Sequence, residues 1–190
     1  MTRNNITISN LYSVIYADPP WSYSFSATRS RMVDNQYPTM SVSDICRLKV
    51  PAAPNAVLYL WATAPKLREG IRVMDAWGFD YRTCAVWDKQ IAGMGYWFRG
   101  RHELLLVGVK GHFSPPPPGL RRPSVYLEKR TKHSKKPDYI RSHIAGWVGD
   151  VPKLEMFARE KFPGWDVWGN QVVSDVEIEC REDDDNPDPG

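Results

Sequence analysis

Hydrophobic positions along the chain fall into short unbroken runs, separated by longer stretches with helical spacing. Val14-Ile15-Tyr16-Ala17 has no polar interruption and predicts a buried parallel strand over 11–18. Ala56–Trp61 predicts a second strand of the same kind. Phe79–Asp88 and Glu103–Val109 predict two more, with a glycine- and aromatic-containing loop, 89–102, but no helix between them. Leu154–Ala158 and Trp165–Trp168 predict two short strands, and Val172–Cys180 is a candidate for a last one. Helical signals fill the intervals. Ser41 with Asp44 gives an N-cap, Ile45 and Leu48 an apolar face, and Pro51 a limit. Pro65 opens a second helix, with Leu67, Ile71 and Met74 on one face and Gly78 closing it. Pro137 suits the first turn of a third helix, and Ile140, Ile144, Trp147 and Val148 recur at helical spacing up to Gly149.

This order predicts an α/β fold whose mostly parallel sheet includes an antiparallel strand pair. One tension stands out. The last two strands are joined by few residues, whereas a parallel crossover takes roughly a dozen or more. One domain is expected over 1–180, followed by an acidic, disordered tail, 181–190.

Composition narrows the function classes. A chain of 190 residues with 42% hydrophobic content can bury a real core. Cys46, Cys84 and Cys180 are an odd number without a C-x-x-C spacing, which suggests a reducing, cytoplasmic compartment rather than a disulfide framework. His102, His112, His133 and His143 lack metal-ligand spacing, so no metal is expected. The N-terminus is polar, and the longest apolar run, Ala56–Ala62, is too short to cross a membrane. The net charge of +3 is unevenly spread. Arg121, Arg122, Lys129, Arg130, Lys132, Lys135 and Lys136 crowd one stretch, whereas 182–190 carries carboxylates and no cation. The body is therefore more basic than the total implies, which favours a polyanionic partner.

The most specific chemistry is Asp18-Pro19-Pro20-Trp21, at the C-terminal end of the first strand, where open α/β sheets place ligands. The prolines fix φ and remove two N–H donors. A rigid loop remains, offering a carboxylate and free carbonyls beside an aromatic surface. It suits a flat heterocycle with an exocyclic amine.

With ADPPW (17–21) stand YPTMS (37–41), LYLWAT (58–63), GFDYRTCAVWDK (78–89), ELLLVGVKG (103–111), KKPDYI (135–140), LEMFAR (154–159) and WDVWGNQ (165–171). In this order they resemble the adenine N-6 methyltransferases related to the catalytic subunit of the mRNA adenosine methyltransferase. The resemblance implies a Rossmann-like fold with the DPPW strand ahead of the cofactor unit. It also implies S-adenosylmethionine as cofactor and adenine in DNA or RNA as substrate. A compact bacterial or phage enzyme is expected, with DNA favoured because no RNA-binding module or nuclear signal is visible.

Asp18 and the Pro19 carbonyl would accept hydrogens from the amine, with Pro20 and Trp21 completing the catalytic loop. The resemblance assigns the cofactor carboxylate to Lys136, beside a helix start that already favours anions. The Asn170 and Gln171 amides, at a strand end, could read the cofactor's adenine edge and ribose hydroxyls, Arg159 could reach the ribose, and Asp18 is expected beside them at the cofactor. A base leaving its stack needs an aromatic sandwich, for which Trp21 and Tyr37 are candidates, with Tyr23 and Phe25 behind them. Arg29, Arg31, Arg121, Arg122 and Lys132 form two basic loops that could track phosphates.

Two departures matter. No glycine follows the cofactor strand, and Glu160 and Lys161 stand where relatives carry a histidine and an asparagine. Gly93-x-Gly95 precedes a strand rather than a helix, and Gly95-Tyr96-Trp97 reads as pocket wall or loop packing. The competing readings are a non-catalytic nucleic-acid-binding partner subunit and a small-molecule methyltransferase. Homodimerisation, or pairing with a related subunit, is compatible with the resemblance.

Overall fold

The computed structural model describes residues 11–23, 38–95, 97–130 and 135–182. Inside its sheet lies β1 (Tyr12–Ala17), whose alternating side chains enter two different cores. Ile15 and Ala17 join Ile45, Leu58, Leu60, Met74 and Leu106 on one face of the sheet. Val14 and Tyr16 join Val57, Tyr59, Trp61, Ile140 and Ile144 on the other. An unbroken apolar run is what a strand covered on both faces requires.

Helices α1 (Val42–Arg47) and α2 (Leu67–Ala76) cover the first face. In α1 the Ser41 hydroxyl accepts the Asp44 N–H at 3.1 Å and donates to the Asp44 carboxylate at 2.6 Å, which is the expected cap. The helix stops at Leu48, before Pro51. A 3₁₀ turn over Ala64–Lys66 leads into α2. The apolar face of α2 is Gly70, Val73 and Met74, continued by Trp77; Leu67, expected to share it, is exposed. Gly78, at φ 78°, donates to Asp75 and Phe79 to Met74, both at 2.9 Å, closing the helix in a Schellman motif. On the second face α3 (Asp138–Val148) buries Ile140, Ile144 and, against expectation for a cation, Arg141.

The remaining strands are β2 (Ala52–Ala62), β3 (Asp80–Asp88), β4 (His102–Lys110), β5 (Val125–Leu127), β6 (Lys153–Met156) and β7 (Asp166–Trp168). They form one sheet in the order β5-β3-β4-β2-β1-β6-β7. Only β4 runs against its neighbours, so the antiparallel pairing lies within the sheet, not at its end. β2 is longer than its apolar run because Ala52 also pairs with β1. β5, which sequence patterning misses, is a three-residue edge strand with two exposed side chains. Val172–Cys180 forms no strand; Cys180 makes an isolated bridge to Leu48.

The crossover tension resolves in favour of an abbreviated connection. β6 and β7 are parallel, with only residues 157–165 between them. No helix fits, and Phe162 and Trp165 instead pack on the second core beside α3. The acidic residues 183–190 lie outside the described residues.

Candidate active site

The chain leaves β1 towards β2 on one side, and its later half returns to pair with β6 on the other. This reversal of strand order opens a crevice at the strand C-termini. Asp18, Pro19, Pro20 and Trp21 leave β1 into a cavity of about 420 Å³. Its lining includes Lys136 before α3, Arg159 after β6, and Asn170 and Gln171 after β7. Residues spread across the sequence thus converge because four segment ends meet at one rim.

The Lys136 ammonium donates to both oxygens of Asp18, at 2.8 and 2.7 Å, and lies 3.3 Å from Glu103. Lys89 holds the other Glu103 oxygen at 3.2 Å. Charges therefore alternate along Lys89, Glu103, Lys136 and Asp18. The Trp61 ring lies beneath Lys136, 5.6 Å from the ammonium. Burial lifts the Asp18 carboxyl above its ordinary value, against the pull of Lys136. Burial also works to raise Glu103, but Lys136 and Lys89 outweigh it and hold Glu103 below its ordinary range. For Lys136, burial disfavours the charge, and the Asp18 and Glu103 carboxylates prevail to raise its pKa.

The loop is braced by its own backbone. Pro19 accepts the Trp21 N–H and Pro20 the Met40 N–H, both at 2.9 Å. A carbonyl has two lone pairs, so the Pro19 oxygen keeps one acceptor site. Trp21 is not a free plate: it is 5% exposed, and its indole N–H donates to the Trp61 carbonyl at 3.1 Å. It forms a fixed cavity wall. Tyr23 lines the cavity too, its hydroxyl 2.8 Å from that of Thr63.

After β6 the chain turns without a glycine because Phe157 itself adopts φ 62°. Its ring meets Trp168 edge-on at 5.3 Å, and the Ala158 N–H donates to the Trp168 carbonyl at 2.9 Å, joining the ends of β6 and β7. A second cavity, about 250 Å³, shares Asp18, Lys136, Phe157 and Arg159 with the first and is also lined by Glu155 and Arg141. Glu155, a possible partner for Lys136 on sequence alone, is bound by Arg141 instead.

Other expected residues lie elsewhere. Arg121 and Arg122 line a cavity of about 690 Å³ between the sheet and α3, with Tyr59 and Trp147, and not the one at Asp18. Among the described residues of that basic stretch, Arg130 and Lys136 line the Asp18 cavity. Tyr37, Phe25, Arg29, Arg31 and Lys132 lie outside the described residues. Trp97 is 94% exposed, so it does not serve as pocket wall or loop packing. Sequence reading missed Glu103, although a lone carboxylate opening an apolar strand is a legible signal of a partnered charge. Among the described residues, no cluster of His, Cys, Asp or Glu could hold a metal, and no helix is long and apolar enough to cross a membrane.

A mostly parallel sheet with its site at the strand reversal, and its Asp-Pro-Pro-Trp strand first in sequence, is a Rossmann-like methyltransferase fold. The MT-A70 family pattern matches residues 12–171, and the chain belongs to that family. It is 34% identical over 182 residues to the type II methyltransferase M.MunI of Mycoplasma sp, covering 85% of this chain and 78% of that protein. It is 27% identical over 179 residues to the human N(6)-adenosine-methyltransferase catalytic subunit METTL3, covering 88% of this chain but 29% of METTL3. The MT-A70-like N(6)-adenosine-methyltransferase of Drosophila melanogaster is 28% identical over 179 residues, again covering 88% of this chain and 28% of the fly protein.

Proposed function

We propose that the protein is an S-adenosylmethionine-dependent methyltransferase acting on the exocyclic N-6 amine of adenine in nucleic acid, with DNA favoured over RNA. The observation that carries this reading is the Asp18–Lys136 pair, which lines both of two neighbouring cavities. Such an arrangement brings an amine acceptor and an anion seat to one point. The similarity to M.MunI over most of its length favours a compact bacterial enzyme with a cytoplasmic site of action.

The donor set fits the cofactor. Lys136 offers an ammonium to a carboxylate, Arg159 a guanidinium, and Asn170 and Gln171 amides that can read hydroxyls and a purine edge. S-adenosylmethionine, when bound, supplies an electrophilic sulfonium methyl. The protein's part is positioning and fixed polarity. An adenine amine is a weak nucleophile because its lone pair is delocalised into the ring. Asp18 accepts one amine hydrogen and the Pro19 carbonyl the other, which favours a tetrahedral nitrogen. Burial raises the proton affinity of Asp18, so its carboxylate is suited to receive the proton the amine loses. Trp21 and Tyr23 wall the base side of the cavity.

Transfer of a labelled methyl group to adenine-containing DNA and RNA tests the reading. The Asp18→Ala variant should still fold, with transfer reduced about a hundredfold or more. Undiminished transfer would remove Asp18 from the chemistry. Cofactor binding without transfer by the parent protein would point to a non-catalytic partner subunit.

A further inference from the structure

The loop between β3 and β4 presents three bulky apolar side chains to solvent: Met94 is 82%, Trp97 94% and Phe98 89% exposed. Burying such surface elsewhere is favourable, so their display needs an account. The loop is not slack. The Lys89 N–H donates to Arg101 at 2.9 Å, Gly93 to Gly100 at 2.7 Å and Gly100 to Met94 at 3.3 Å. Arg99 reaches the Gly93 and Ala92 carbonyls, and Arg101 grips both oxygens of Asp88 at 2.6 and 2.7 Å. Gly95 passes so close to Phe98 that a Cβ there would lie 2.0 Å from the Phe98 carbonyl oxygen. A tight, braced tip holds its aromatics outward at little further entropic cost.

Position and charge say what the tip meets. The loop springs from Asp88 and His102, at the rim that carries Asp18. Its root residue Lys89 is tied through Glu103 to Lys136 and so to Asp18. Lys89 and Arg101 are paired with Glu103 and Asp88, while Arg99, bound only to backbone carbonyls, leaves the tip one net positive charge. An apolar wedge beside one such cation, at the rim that carries Asp18, complements stacked bases inside a phosphate backbone.

Resting on the methyltransferase reading above, the geometry points to Trp97 and Phe98 as a wedge. It enters a base-paired substrate and holds open the gap left by the extruded adenine. Duplex substrates need it, because the target base must leave its stack; a single strand does not. Trp97 and Phe98 are positioning residues, distant in role from the transfer itself.

The test uses random-sequence oligonucleotides, as DNA and as RNA, each offered single-stranded and as a duplex. The Trp97→Ala/Phe98→Ala variant should lose about tenfold or more of its transfer to duplex, and less than about twofold to single strands. Trp97→Phe should restore most of the duplex activity. Equal loss on both forms, no loss on either, or a parent enzyme that methylates only single strands would overturn the wedge and leave the methyltransferase reading standing. No transfer by the parent to any substrate would overturn that reading and the wedge with it. A parent dimer that becomes monomeric on double substitution, by sedimentation, would also overturn the wedge and assign the tip to self-association.

Discussion

Replacing Lys136 with methionine keeps the length of the stem but removes the ammonium that lies 2.7–2.8 Å from the Asp18 oxygens and 3.3 Å from Glu103. Two carboxylates that are largely shielded from water then lose their shared cation. Breaking a fully buried pair costs about 3–5 kcal/mol. The Asp18 side chain retains 23% of its exposure, so we expect less, about 2–3 kcal/mol at pH 8. At about 2–4 °C per kcal/mol for a chain of this size, the melting temperature should fall by about 4–12 °C.

The loss should depend on pH, with a definite sign. In the parent, Glu103 is held below its ordinary value, so it contributes stability above that value and loses it on acidification. In the variant, burial acts on Glu103 with less opposition and lifts Asp18 further. A carboxyl raised in the folded state destabilises above its folded pKa, and the penalty fades as pH falls through it. The deficit should be largest at pH 8 and shrink towards pH 5. Urea unfolding of both proteins at several pH values measures it. A deficit that is absent, or the same at every pH, would refute the electrostatic account of this pair. The Asp18→Asn/Lys136→Met double variant should recover part of the loss, with a coupling of about 1–2 kcal/mol.

Two further outcomes are expected. Arg141 is 5% exposed and joins Glu155, Asp138 and Glu160 while lying over the Phe162 ring at 4.1 Å. Arg141→Met should destabilise by about 3 kcal/mol, and Arg141→Lys should rescue little because its point charge cannot span the same carboxylates; calorimetry decides both. Nucleic-acid binding, followed by fluorescence anisotropy, should weaken about tenfold or more between 50 and 200 mM salt; a flat response would separate the basic residues from the substrate.

The sequence was most readable where local chemistry and tertiary fate agree. β1 is apolar from Val14 to Ala17 because both its faces are covered there, and Ser41 caps α1 through bonds within one turn. That Asp18, Lys136, Arg159, Asn170 and Gln171 line one cavity was legible because prolines, a helix start and strand ends mark their places. What depended on distant packing was hidden. β5 is apolar, Val125-Tyr126-Leu127, but three residues are too short a run to read as a strand, and an edge strand buries little of it. Glu103 takes its meaning from Lys136, on the far side of a long loop. The closeness of Arg121 to its basic neighbours in sequence gave no hint that it turns towards another cavity. A parallel β6–β7 pair looked too tightly joined because two aromatics stand in for the usual helix.

The lone reversed strand has a consequence for the order in which the molecule assembles. β3 and β4 are sequence neighbours, so their hairpin closes over a short span and should form early. β1 must wait for β6, and Asp18 meets Lys136 only across a sequence separation of 118. The crevice at Asp18 therefore straddles a seam between an early-folding half and a late one, and the late half should also be first to open. Native-state hydrogen exchange should show the β1–β6 amides protected less than those of β3–β4. A cofactor bridging β1, α3 and β6 would fasten that seam, making ligand occupancy a condition of the protein's lifetime as well as of its activity.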